Sequence, residues 1–251
     1  MSTWVLLRGL TRGSGHWAGF PALLSERLGS AQVVTLDLPG NGTLHDVRSP
    51  ARIEAMTDSA MAQLRTLGLA PPYHLLAVSM GAMVAVDWAT RAPSSLAACV
   101  LINTSLRPVS PPWQRLRPSA LAALLRNALW PTSAAQREAA VLRLTSRDPA
   151  AAAAVLAPWA ALRTVQPVSR ANALRQLIAA ARFRAPTPAP DAPVLVLGSA
   201  RDALVDPRCS MALAERWRSA VEIHPTAGHD LTLDDGPWVI DQIAAWLRAG
   251  A

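Results

Sequence analysis

The segment His74-Leu75-Leu76-Ala77-Val78-Ser79-Met80-Gly81 is the most informative stretch of the sequence. Its apolar run, 74–78, predicts a strand covered on both faces, and a helical pattern follows at about 80–91. A serine at such a sharp turn needs small residues two positions before and after it, because larger side chains would not fit the strained backbone. Ala77 and Gly81 meet this requirement. The segment predicts a nucleophilic Ser79 at the end of a buried strand; the alternative is a serine that only begins the helix.

Similar apolar runs recur along the chain, at 4–7, 33–36, 99–102, 194–197 and 221–223. Helical patterns separate them, at about 17–29, 51–67, 80–91, 207–219 and 236–248. Strands that alternate with helices in this way predict an α/β fold, with a doubly wound, mostly parallel sheet of about six strands.

The alternation stops between about 104 and 190, where alanine, leucine and arginine dominate. We interpret residues 107–186 as a helical cap inserted between two parts of one sheet domain, 1–106 and 187–251. Prolines are expected to divide this stretch into several short helices. They are Pro108, Pro111, Pro112, Pro118, Pro131, Pro149, Pro158 and Pro167.

The composition narrows the class of protein. The chain has 251 residues, of which 51% are hydrophobic and 16% are charged, so we expect a folded α/β domain rather than a disordered chain. No apolar run reaches the length of a membrane-spanning helix, and the first run reads as a strand rather than an export signal. Cys99 and Cys209 lack metal or redox spacing. We expect a reduced, cytoplasmic protein without a metal or cofactor.

All 24 basic residues are arginines, which excludes Schiff-base chemistry and the lysine of a phosphate-binding loop. The net charge of +7 is concentrated in residues 107–184, where 12 arginines stand against Glu138 and Asp148. One interpretation is an anionic partner: a substrate carboxylate, an acidic carrier protein or a membrane surface. The other is a solvated helical face in an arginine-biased chain, which the absence of lysine favours. Nucleic-acid binding is not expected, because no motif and few stacking aromatics are present.

An acid and a histidine follow two later strands. Asp202 lies in Gly198-Ser199-Ala200-Arg201-Asp202, and His229 lies in Gly228-His229-Asp230. Ligands of open parallel sheets bind at the carboxyl ends of the strands, where these residues would meet Ser79. A serine nucleophile needs an imidazole to take its proton and a carboxylate to orient that imidazole. We predict a Ser79–His229–Asp202 triad, with Asp206 as a competitor for the acid; as alternatives, Asp202 caps a turn and His229 is an ordinary loop residue.

The turn after the first strand is expected to supply a backbone hydrogen-bond donor beside Ser79. It reads Arg8-Gly9-Leu10-Thr11-Arg12-Gly13-Ser14-Gly15, whose glycine spacing is not that of a dinucleotide-binding loop. A negatively charged intermediate needs backbone donors beside the nucleophile. We predict that the amides of Leu10 and Met80 form this oxyanion hole.

The chain resembles the α/β-hydrolase superfamily over nearly its whole length. The features that match are these loops and the turn Asp37-Leu38-Pro39-Gly40-Asn41-Gly42. The resemblance implies a serine hydrolase with a helical cap, on a sheet that lacks the family's first two strands. Two residues depart from the pattern: Arg8 stands where the family has histidine, and Ala77 stands where glycine is usual.

The predicted activity is hydrolysis of small-molecule carboxylic esters through an acyl-enzyme. A lactonase, thioesterase, C–C hydrolase or cofactor-free perhydrolase on the same triad remains open, as does a non-catalytic small-molecule receptor. Serine at the elbow disfavours epoxide hydrolases and dehalogenases, which use aspartate. The sequence does not determine the oligomeric state. Substrate contacts are predicted, with core packing or helix capping as the alternative, for Arg8, His16, Trp17, Trp113, Trp130 and Trp159.

Overall fold

The computed structural model describes residues 2–129 and 133–250. They form one six-stranded, all-parallel sheet in the order β2-β1-β3-β4-β5-β6. Each predicted apolar run lies within one of its strands, so the predicted doubly wound sheet of about six strands is confirmed. The strands are β1 (Thr3–Leu7), β2 (Gln32–Leu36), β3 (Tyr73–Val78), β4 (Leu96–Ile102), β5 (Val194–Ser199) and β6 (Ala220–His224).

Helices connect the strands. The predicted helix at 17–29 begins later than expected, because Ala18 has a positive φ of 48° that separates a 3₁₀ turn at Ser14–Trp17 from the helix proper. The helices outside the long β4–β5 connection are α1 (Phe20–Arg27), α2 (Ile53–Thr66), α3 (Met80–Arg91), α9 (Arg208–Trp217), α10 (Leu231–Asp234) and α11 (Gly236–Arg248).

Two apolar cores cover the two faces of the sheet. Leu7 and Leu75 belong to the core shared with α2, α3 and α9. Their neighbours Leu6 and Leu76 belong to the core shared with α1 and α11. Successive strand residues point to opposite faces, and both faces are buried, which explains why the strands are apolar without interruption.

In the part of this stretch that the structure describes, five helices lie between β4 and β5, and we call residues 107–186 the α4–α8 segment. Contrary to the prediction that every proline would separate helices, Pro158 lies inside α7. Val155 and Trp159 beside it are buried, and this packing outweighs the hydrogen bond that proline removes. Pro131 lies outside the described residues. The helices are α4 (Pro112–Arg115), α5 (Pro118–Leu129), α6 (Ala134–Thr145), α7 (Pro149–Val165) and α8 (Arg170–Arg182).

Side chains of α8 hold this segment against the sheet. Gln176 accepts a hydrogen bond from the Thr11 amide at 2.9 Å and donates one to Asn41 Oδ1 at 2.8 Å. Asn172 accepts one from the Ser49 amide at 3.0 Å. These bonds fix α8 over the turns that follow β1 and β2. Within residues 2–129 and 133–250, every helix is too short or too polar to cross a bilayer.

Candidate active site

Ser79 lies in a strained turn between β3 and α3. Its φ of 57° and ψ of −117° are unfavourable for a residue with a side chain. The surrounding chain holds this conformation: the Ser79 amide donates to Ile102 O at 2.8 Å, and Thr104 Oγ1 donates to Ser79 O at 2.9 Å. The turn places the hydroxyl at the carboxyl edge of the sheet, which is the geometry of a nucleophile elbow.

Small residues allow the turn after β1 to approach Ser79. A Cβ at Gly81 would lie 2.5 Å from Leu7 O, and a Cβ at Gly9 would lie 2.9 Å from Ser79 Cβ. Both contacts are shorter than real carbon contacts, so both positions require glycine. Ala77 fits inside the sheet as a fully buried residue.

His229 and Asp202 are paired at the same edge. His229 Nδ1 lies 2.7 Å from Asp202 Oδ2, and both side chains are buried. The other carboxylate oxygen accepts hydrogen bonds from the amides of Leu204, at 2.7 Å, and Val205, at 3.0 Å. A carboxylate held in this way fixes the imidazole with Nδ1–H as the donor and leaves Nε2 to act as a base.

Asp206 is engaged elsewhere. Its carboxylate accepts hydrogen bonds from Arg208 at 2.9 and 2.8 Å and forms an ion pair with Arg117. The hydrogen bonds from Arg208 lower the pKa of Asp206 to about 2. Of the two aspartates that the sequence left in competition, Asp202 is the one that contacts His229.

Asn103 supports the histidine loop and was missed by the sequence analysis. Its side-chain amide donates to His229 O at 2.9 Å, to Gly228 O at 3.2 Å and to Ser199 Oγ at 2.9 Å. The signal that could have found it is its place directly after β4, where a polar side chain reaches the carboxyl edge of the sheet.

Ser79 and His229 both line a cavity of about 240 Å³. Leu10 and Met80 line the same cavity, and Met80 is the first residue of α3, so its amide has no acceptor within the helix. Among the described residues, no hydrogen bond joins the Ser79 hydroxyl to the imidazole. Such bonds are often long in a site without substrate and tighten when substrate binds.

The far wall of this cavity comes from the α4–α8 segment. Its lining is largely apolar, so it suits a hydrophobic substrate group beside the polar edge of the sheet. The apolar wall residues are Pro112, Leu116, Leu124, Val141, Leu177, Ala180 and Ala181.

Arg8 lines the cavity, but its guanidinium is bound by a residue that the sequence analysis gave no role. Arg8 forms a buried, two-pronged ion pair with Asp230, at 2.9 and 2.5 Å. Burial alone would raise the pKa of Asp230, but the charge and hydrogen bonds of Arg8, together with the charge of Arg12, lower it. The pair ties the turn after β1 to the loop that carries His229.

Arg12 makes a second buried connection, from the same turn to the α4–α8 segment. Arg12 Nη1 lies 2.6 Å from Glu138 Oε1, and Arg163 donates to the other oxygen of Glu138 at 3.1 and 2.8 Å. The Arg12 guanidinium stacks over Trp159 at 4.9 Å. One carboxylate from α6 therefore bridges the turn after β1 and helix α7.

Four of the other predicted substrate contacts, His16, Trp17, Trp113 and Trp159, are not among the residues that line the cavity. Trp17 and Trp159 are buried, whereas Trp113 is 64% exposed. His16 packs edge-on against Trp159 with ring centroids 5.2 Å apart. Burial, followed by the charges of Arg12 and Arg8, lowers the pKa of His16 to about 2. Trp130 lies outside the described residues.

The comparisons with solved structures agree with this architecture. An enol-lactonase from Burkholderia xenovorans LB400 has a TM-score of 0.77 at 19% identity, over 98% of this chain and 91% of that chain. An esterase from Rhodococcus sp. ECU1013 has a TM-score of 0.77 at 18% identity, over 100% and 91% of the two chains. A thermophilic esterase from Thermogutta terrifontis has a TM-score of 0.73 at 23% identity, over 99% and 90%. At these identities the likeness shows a shared fold.

The sequence comparisons name the family. A search of curated proteins finds no match. A family profile described as "Alpha/beta hydrolase family" matches residues 4–242, nearly the whole chain. The chain therefore belongs to the α/β-hydrolase family.

Proposed function

We propose that the protein is a serine hydrolase that cleaves carboxylic esters through an acyl-enzyme. The observation that carries the proposal is the buried His229–Asp202 hydrogen bond of 2.7 Å beside a cavity that Ser79 also lines. Serine needs such an activated imidazole to become a useful nucleophile.

In the proposed reaction, Ser79 Oγ attacks the ester carbonyl and gives its proton to His229 Nε2. Asp202 stabilises the resulting imidazolium, and the amides of Leu10 and Met80 hold the oxyanion. Collapse of the tetrahedral intermediate breaks the bond to the alcohol, which receives the proton from His229. Water then gives a proton to His229 and attacks the acyl-enzyme, and collapse of the second intermediate releases the acid and returns the proton to Ser79.

The cavity lining supports the proposed domain division. Residues 1–106 and 187–251 carry Ser79, Asp202 and His229, and residues 107–186 form a cap that supplies the apolar wall. We propose that the acyl or alcohol group of the substrate lies against this wall. The two cysteines are buried thiols without a disulfide, which supports a reduced, cytoplasmic setting.

Replacing the nucleophile tests the proposal. Ser79→Ala should lower the rate of hydrolysis of short p-nitrophenyl acyl esters by about 10⁴- to 10⁶-fold, because the remaining triad residues cannot act without it. Ser105 lines the same cavity with a hydroxyl group outside the triad, so Ser105→Ala is the matched control and should stay close to the parent. A Ser79→Ala enzyme within tenfold of the parent would contradict the proposal.

A second measurement determines which type of bond the enzyme cleaves. The rates of hydrolysis of lactones, acyl thioesters and diketones by the same enzyme are compared with the rate for the p-nitrophenyl esters. A receptor without catalytic activity would hydrolyse none of these substrates, and Ser79→Ala would not change that result.

A further inference from the structure

An exposed apolar surface lies on α4 and α5. Leu121, Leu125 and Leu129 follow each other at four-residue intervals along α5 and are 40%, 50% and 68% exposed. Trp113 on α4 is 64% exposed. We call these four residues the α4–α5 patch. Single exposed leucines are ordinary, but a row of three along one helix indicates a surface that meets an apolar partner.

The charge around the patch is positive. Residues 107–145 contain six arginines and one acidic residue, Glu138, which is fully buried between Arg12 and Arg163. Arg126 on α5 and Arg143 on α6 are exposed and line the groove between their helices. The partner of this surface should therefore be anionic as well as apolar.

The patch adjoins the substrate cavity. Pro112, next to Trp113 in the chain, and Leu116 just beyond α4 line the cavity, as does Leu124 on α5. The two helices therefore present leucines and a tryptophan to solvent on one side and an apolar wall to the cavity on the other.

We propose that the α4–α5 patch docks on the surface of an anionic lipid bilayer. The leucine row extends over two helical turns, about 12 Å, and would lie in the plane of the surface with its side chains among the acyl chains. Tryptophan is suited to the headgroup level, and the arginines would contact lipid phosphates. A second copy of the chain is a poorer occupant, because it would bring two positive surfaces together.

Docking itself does not depend on the proposed hydrolase activity. The consequence of docking rests on the proposed function, since a docked hydrolase would receive apolar esters from the membrane through the wall formed by α4 and α5. For this reason the test measures binding separately from turnover.

The experiment is co-sedimentation with phosphatidylcholine vesicles, with and without phosphatidylglycerol. The parent protein should sediment only with the anionic vesicles. Leu121→Gln/Leu125→Gln should weaken the partition by roughly tenfold or more, since two apolar side chains lose their transfer into the acyl region. Arg126→Gln/Arg143→Gln should weaken it as well, and added salt should weaken the parent. Leu67, which is 57% exposed at the end of α2, provides the matched control Leu67→Gln, which should bind like the parent.

Each variant should keep the parent's rate on p-nitrophenyl acetate in solution, and Ser79→Ala should sediment like the parent. The two outcomes thereby separate a failure of docking from a failure of the hydrolase proposal. A parent that ignores anionic vesicles, or a leucine variant that binds as well as the parent, would overturn the inference. So would a parent dimer, seen by light scattering, that the leucine variant abolishes, since the patch would then belong to a second copy.

Discussion

The carboxyl edge of the sheet and the α4–α8 segment position their side chains by different means. At the edge, main-chain groups take part in holding two of the predicted catalytic residues: the amides of Leu204 and Val205 bind Asp202, and the Ser79 amide donates to β4. The carbonyls of Ser79 and His229 accept hydrogen bonds from the side chains of Thr104 and Asn103. The segment is joined to the turns after β1 and β2 by buried side chains such as Glu138 and Gln176. Main-chain bonds also join it to the loops of Asp202 and His229, from the Arg117 amide to Leu204 O at 2.9 Å and from the Asp230 amide to Thr145 O at 2.8 Å. Because the segment is bonded to both of these loops, a change in its packing acts on the positions of Asp202 and His229 as well as on the cavity wall.

The largest expected effect tests the edge. Asp202→Asn should lower kcat on p-nitrophenyl esters by about 10⁴-fold, because an amide no longer holds the imidazole in the tautomer that accepts the Ser79 proton. The matched control is Asp206→Asn, whose carboxylate is bound by Arg208 and does not contact His229. Similar losses of kcat in both variants would contradict the assignment of Asp202, rather than Asp206, as the partner of His229.

The next effect tests the segment. Glu138→Gln should lower the free energy of unfolding by about 3 to 5 kcal/mol, since it leaves the buried Arg12 without its counter-charge. Urea denaturation measures this loss. The exposed pair Arg52–Glu54 supplies the control, and Glu54→Gln should cost less than about 1 kcal/mol. If the two substitutions cost the same, the Glu138 bridge does not hold the segment to the sheet domain.

The smallest effect concerns His16, which lies between the two regions. Its pKa is about 2 in the folded protein and 6.5 in the unfolded chain, so the unfolded state binds the extra proton on acidification. The stability that neutral His16 provides is complete above pH 6.5 and falls as the pH drops towards 2. Between pH 6.5 and about pH 5 the parent should lose about 2 kcal/mol more than His16→Gln. Urea denaturation at the two pH values measures the difference, with His45→Gln as control; equal losses in parent and His16→Gln would contradict it.

Most of the sheet could be predicted from the sequence, since its signals are local. Strands buried on both faces have continuous apolar runs. The runs that precede Ser79, Asp202 and His229 each end where a loop with polar side chains begins. Ser79, Asp202 and His229 were predicted as a set for this reason. The structure adds the His229–Asp202 contact and the shared cavity.

The remaining features depend on contacts between distant parts of the chain. Arg8 and Asp230 are separated by 222 residues, and Arg12 meets Glu138 only after α6 has packed against the sheet domain. Proline removes a backbone donor and therefore predicts a helix end at Pro158, yet burial of its neighbours keeps α7 intact. In these cases tertiary packing outweighs local preference, and no pattern in the sequence reports it.

Covalent labelling by a fluorophosphonate, read by peptide mass spectrometry, tests whether Ser79 is an activated nucleophile. We expect one adduct, on Ser79, that is absent in Ser79→Ala and forms far more slowly in His229→Ala. A parent protein labelled at another residue, or left unlabelled at Ser79, would contradict this expectation.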